Sequence, residues 1–125
     1  MINWRTVIIG IIIGIILDSI LVLVGFSAYI GDTVIGIYVG YVVSGGYRNG
    51  ANHGAIVGAS AGTIFTIINI ITTDPAYLQA FIGGETGIFG VILLLSIIFD
   101  GILGAIGGVI GASIKGSNSS KENTA

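Results

Sequence analysis

Long apolar runs separated by short polar stretches set the plan of this chain. The first covers residues 6–26, with Trp4 and Arg5 in front of it, and reaches the roughly 20 apolar residues that a bilayer core requires. Its one interruption is Asp18. Gly25-Phe26-Ser27 at its end fits a small-x-small cleavage site. A signal peptide, however, has an apolar region of only about 7 to 15 residues, so a retained span is expected. The second run, 28–46, is the weakest, because its uninterrupted part, 33–43, is short enough for a re-entrant segment. A third run begins near Gly50 and ends by Thr72. After Asp74-Pro75 the piece 76–84 is too short to cross and reads as an outer loop or interfacial turn. The fourth covers 87–114, long enough to tilt or bend. Residues 116–125 form a polar Ser/Asn/Lys tail, read as disordered and cytoplasmic.

Charge placement decides the doubtful second run. Arg5, Arg48, Lys115 and Lys121 fall at the amino terminus, between runs two and three, or after run four. Four crossings put all of them on one side, which the positive-inside rule makes cytoplasmic. Asp32, Asp74 and Glu85 then lie outside. A re-entrant second segment would place Arg48 externally and destroy this segregation. The predicted fold is therefore all-α: a polytopic transmembrane bundle of four spans in one domain, 1–115, in the cell membrane with both termini cytoplasmic.

Composition points the same way. The chain is 54% hydrophobic and 8% charged, against about a quarter charged in soluble domains. Glycine is the other excess, with 22 residues beside a single proline, and without a Gly-X-Y period it signals neither collagen nor a linker. The absence of cysteine removes disulfides, thiolate chemistry and Cys-based metal sites. A net charge of -2 offers no footprint for nucleic acid.

The glycines are spaced for helix contact. Gly50, Gly54, Gly58 and Gly62 fall four apart, as do Gly10 and Gly14, Gly36 and Gly40, Gly83 and Gly87, and Gly104 and Gly108, while Gly107 pairs with Gly111. Such faces let helices approach backbone to backbone in lipid, and each interior glycine costs up to about 1 kcal/mol against alanine, which close packing must offset. Glycine zippers of this number exceed what one four-helix bundle needs, so a homo-oligomer is expected.

The candidate chemistry lies in Asp18 and Asp100. Counted from the span ends, both fall near the bilayer midplane, where a carboxylate costs at least about 2.5 kcal/mol and no Lys or Arg is at hand. Each is read as a neutral acid bonded locally at a helix contact. The alternative is a shared proton or sodium site, with Ser19, Ser96, Thr66 and Asn69 supplying further oxygens. The segments Ile15-Ile16-Leu17-Asp18-Ser19-Ile20-Leu21 and Ile97-Ile98-Phe99-Asp100-Gly101-Ile102-Leu103 echo each other, which a chain this rich in Ile and Leu produces by chance. Arg48, Asn49, Asn52 and His53 crowd the cytoplasmic mouth of the third span. They read as a topology anchor and cap, or as a rim for an anionic headgroup. A lone histidine without Cys, Glu or a second His nearby is a poor metal site, and no metal or cofactor is expected. Gly83-Gly84-Glu85-Thr86-Gly87 lacks dinucleotide spacing, no P-loop lysine follows a glycine run, and no G-x-S-x-G elbow occurs, so no enzyme is expected.

The run Gly46-Tyr47-Arg48-Asn49-Gly50-Ala51, followed by His53-Gly54-Ala55-Ile56-Val57-Gly58, resembles the signature segment of a family of unknown function among small archaeal multi-spanning membrane proteins. The resemblance covers spans two and three and, more loosely, span four. It implies an archaeal plasma-membrane protein and transfers no activity. A fainter similarity to four-span subunits of mitochondrial protein-import translocases breaks at Asn52, which stands where an acid is expected. The expected role is a structural or assembly component that self-associates in lipid through its glycine faces. The alternative is a small ion- or proton-coupled transporter or channel using Asp18 and Asp100.

Overall fold

The computed structural model describes residues 1–43, 45–73, 76, 79, 83 and 86–122. Among the described residues four long helices follow one another: α1 (Trp4–Leu23), α2 (Ala28–Val42), α3 (Tyr47–Thr73) and α4 (Thr86–Glu122). Among the described residues there is no strand. Asp74, Pro75, Glu85 and most of the piece 76–84 lie outside the described residues, as does the end of the tail, 123–125.

α1, α3 and α4 are long and apolar enough to cross a membrane. α2, with 15 residues, reaches only about 22 Å at 1.5 Å per residue, short of a bilayer core of about 30 Å. The polar end of the chain corrects the expectation of disorder, since α4 continues unbroken to Glu122. Ser, Lys and Glu tolerate a helix that is already nucleated upstream, and the Ser119 hydroxyl bonds back to the Lys115 carbonyl one turn earlier.

Local chemistry fixes the first hairpin. The Asn3 side chain caps α1 by accepting from the Thr6 amide. At the other end Gly25 takes φ +84°, and the amides of Gly25 and Phe26 donate to the carbonyls of Val22 and Leu21. This is a Schellman closure, which needs a residue without Cβ. Ser27 then caps α2 through the Tyr29 amide. The sequence that fits a cleavage site is therefore the turn of an αα-hairpin.

The helices run alternately up and down. α4 lies in the groove between α2 and α3, while α1 packs on the other side of that pair and does not touch α4. Glycines set the close approaches. A Cβ on Gly36, Gly40, Gly54 or Gly58 would collide with backbone of α4 at Gly104, Gly108 or Asp100, and one on Gly107 or Gly111 would collide with backbone of α2. On α1, Gly10 meets Val39 and Val57, and Gly14 meets Ala61. Most of these glycine faces meet another helix of the same chain, whereas a Cβ on Gly87 would meet nothing within 4 Å. Only a small apolar core is enclosed: Val7, Ile35, Val39, Val43 and Val57. Outside, Ile8, Ile12, Ile16 and Ile20 on α1 and Ile102, Ile106 and Ile110 on α4 are exposed. Apolar side chains outward with polar ones enclosed is an arrangement compatible with a membrane protein.

Candidate functional site

Three of the four helices carry the same buried row. It reads Gly10, Gly14, Asp18 on α1, then Asp32, Gly36, Gly40 on α2, and Asp100, Gly104, Gly108 on α4. The order is reversed on α1 because that helix is antiparallel to the other two, so all three acids arrive at one level. α3 contributes Gly58 and Gly62 at that level, with no side chain of its own. The glycines leave room for the carboxyls: a Cβ on Gly62 would strike the Asp100 carboxyl, and one on Gly31 would strike that of Asp18.

Asp18, Asp32 and Asp100 are 0%, 1% and 2% exposed. Asp18 interacts electrostatically with Asp100, and Asp32 with both, although the backbones of α1 and α4 stay apart. Asp100 Oδ2 accepts a hydrogen bond from Ser96 Oγ at 3.1 Å. The four carboxyl oxygens of Asp18 and Asp32 receive no hydrogen bond from an amide, hydroxyl or basic group, and the Asp32 carboxyl faces that of Asp100. Burying even a neutral polar group without a partner costs on the order of 1–3 kcal/mol, so this cluster weakens the fold unless a bound cation or proton compensates.

Asp18 and Asp100, the two acids of the alternative reading, lie in one cluster with Asp32. Asp32, grouped with Asp74 and Glu85 as an outer-side charge, sits one turn inside α2 and is buried. Asp18 lies about 21 Å from the start of α1 and about 8 Å from its end, nearer the α1–α2 turn than the middle. Of the expected oxygen donors, Ser96 joins the site and Thr66 Oγ1 lies 3.4 Å from Ser96 Oγ. Ser19 turns away to the Ile15 carbonyl of its own helix. Among the described residues no group of three or more acidic or histidine side chains is arranged to hold a metal ion.

The polar rim on α3 does not act as one unit. Arg48 and Asn52 are exposed and Asn49 is half-buried, whereas His53 is 1% exposed. His53 Nδ1 lies 2.8 Å from the Asn49 carbonyl, and Nε2 accepts the Asn3 backbone amide at 2.8 Å. Those two bonds require the hydrogen on Nδ1, and they pin the start of α1 to α3. A cavity of about 420 Å³ at this end is lined by Gly45, Gly46, Tyr47, Lys115 and Ser119, among others, and not by the four rim residues.

A family of unknown function, DUF5518, matches residues 4–114. No curated protein and no solved structure matches the chain.

Proposed function

Since the chain belongs to this family of unknown function, DUF5518, we propose that it is an integral membrane protein whose three clustered aspartates take up and release a proton inside the bundle. On this reading it is a small proton-coupled carrier or proton channel, without enzyme chemistry. The observation that carries it is the set of four buried carboxyl oxygens on Asp18 and Asp32 to which no amide, hydroxyl or basic group donates. All three acids are enclosed, and the basic residues Arg5, Arg48 and Lys115 stand several turns away from them toward the opposite end of the bundle. Carboxyls this close avoid mutual repulsion by sharing protons. A proton fits better than a metal ion, because the donors do not converge as metal ligands do.

The setting follows the same reading. Arg5 begins α1, Arg48 begins α3, and Lys115 on α4 donates to the Val42 carbonyl at the end of α2, so these basic groups gather at one end of the bundle. That supports both termini on the cytoplasmic side of a cell membrane, with α2 as a short fourth crossing. The archaeal source is implied by the resemblance of the Gly46–Gly58 segment alone. An assembly role through glycine zippers is the second reading. It has less support, because most of those faces meet another helix of the same chain.

The test is reconstitution into liposomes with an internal pH dye under an imposed potassium potential. Wild type is expected to pass protons, and Asp18→Asn, Asp32→Asn and Asp100→Asn each to stop it. In the infrared, the same protein should show protonated carboxyl bands that these variants remove. A wild type that passes no protons and shows only ionised carboxylate bands would overturn the reading.

A further inference from the structure

The acids are not placed symmetrically between the ends of the bundle. Toward the end that carries Arg5, the interior is filled by Ile35, Val39, Val57 and Val7, none more than 1% exposed. At the same levels the backbones of α2 and α3 meet α4 at Gly104 and Gly108. Among the described residues the polar groups buried at this end are Thr6, 8% exposed, and His53, whose ring nitrogens are both engaged. Toward the opposite end, the Asp100 carboxyl continues into hydroxyls. Ser96 stands one turn before Asp100 on α4 and donates to its Oδ2, and Thr66, one turn beyond Gly62 on α3, faces Ser96. Both hydroxyl residues are half-buried where the acids are enclosed. The single hydrogen of Ser96 is committed to Asp100, so Thr66 is the donor in the second bond.

We infer that Ser96 and Thr66 are a proton relay giving the acid cluster access to water from the α1–α2 turn end in this conformation, with the valine-rich core closing the other end, so that passing a proton across requires that end to open in turn. This rests on the proton-site reading above. In the step itself, a proton from water binds the Thr66 oxygen, the hydrogen already on Thr66 passes to Ser96 Oγ, and that of Ser96 passes to Asp100 Oδ2. Each hydroxyl ends neutral with one hydrogen, Asp100 has gained one, and the two hydroxyls point away from the acid until they rotate back.

The chain contains no cysteine, so single replacements report access without a background. Thr66→Cys in sealed liposomes should react with a membrane-impermeant maleimide only from the compartment facing the α1–α2 turn, and Val39→Cys far more slowly from either side. Labelling of Val39→Cys as fast as Thr66→Cys, or of Thr66→Cys only from the Arg5 side, overturns the route. Hydrogen–deuterium exchange of the carboxyl infrared bands should slow about tenfold in Ser96→Ala, the rate ratio that one neutral hydrogen bond is worth. Ser96→Thr should restore it and Ser19→Ala should leave it unchanged. Exchange in Ser96→Ala at the wild-type rate overturns the relay. A wild type without protonated carboxyl bands refutes the proton site instead, and the labelling pattern tells the two failures apart.

Discussion

Replacing Gly54 by alanine sets two opposed effects of known size against each other. Alanine gains up to about 1 kcal/mol of intrinsic helix stability over glycine. Its methyl group, however, would run into the Gly104 carbonyl and stand 3.1 Å from the Gly108 Cα. Those are backbone atoms of α4, with no rotamer to adopt, so the helices must separate. Overpacking of this kind costs about 1–3 kcal/mol, and the neighbouring contacts at Gly50 and Gly58 open with it, each lost atom pair forfeiting about 0.1–0.2 kcal/mol. The net expectation for Gly54→Ala is a loss of about 1–2 kcal/mol. Gly90 is the internal control, since a Cβ there meets nothing within 4 Å. Gly90→Ala should therefore keep the propensity gain and stabilise by up to about 1 kcal/mol. Reversible unfolding in mixed micelles, titrated with dodecyl sulfate and followed by far-UV circular dichroism, measures both. If Gly54→Ala proves as stable as Gly90→Ala, the close approach of α3 and α4 is refuted.

Two further perturbations read the ends of the bundle. His53→Ala removes a buried ring and both of its hydrogen bonds, an expected loss of about 2–4 kcal/mol. Amide exchange should quicken at Asn3 and in the first turn of α1, and unchanged protection there would contradict the pin. Lys115→Met keeps the length of the side chain but removes its bond to the Val42 carbonyl and its approach to the Tyr41 ring at 6.0 Å. Near the surface this should cost no more than about 1 kcal/mol. The effect should appear as faster exchange at the end of α2, and equal loss of protection across all four helices would count against it.

Helix number, helix type and the apolar exterior were legible in the sequence because they depend on run length and composition, which are local. Asp18 and Asp100 were legible for the same reason, each being a lone charge inside a long apolar run. Asp32 was not singled out because it stands near the edge of the weakest run, where an acid counts only toward the charge balance of the outer side. A signal for it was present: Asp32, Gly36 and Gly40 repeat the spacing of Asp100, Gly104 and Gly108 and reverse that of Gly10, Gly14 and Asp18. Burial of the glycines therefore predicts burial of the acid in line with them. The role of His53 had no such signal, since its partner is an amide 50 residues away. Nor could spacing tell which copy of the chain a glycine face would meet, because intra- and intermolecular contacts demand the same pattern.

Carbonyl groups resting on methylenes form a joint without moving parts. Where Gly36, Gly40, Gly54, Gly104 and Gly108 meet, no torsion can turn to make space, so the bundle cannot loosen there by small independent adjustments. Any opening of that half must be a wholesale slide of one rod along another. The opposite half, lined with flexible groups such as Leu21 and Ser96, can reshape itself piecemeal, which makes it the pliable end of an otherwise stiff assembly.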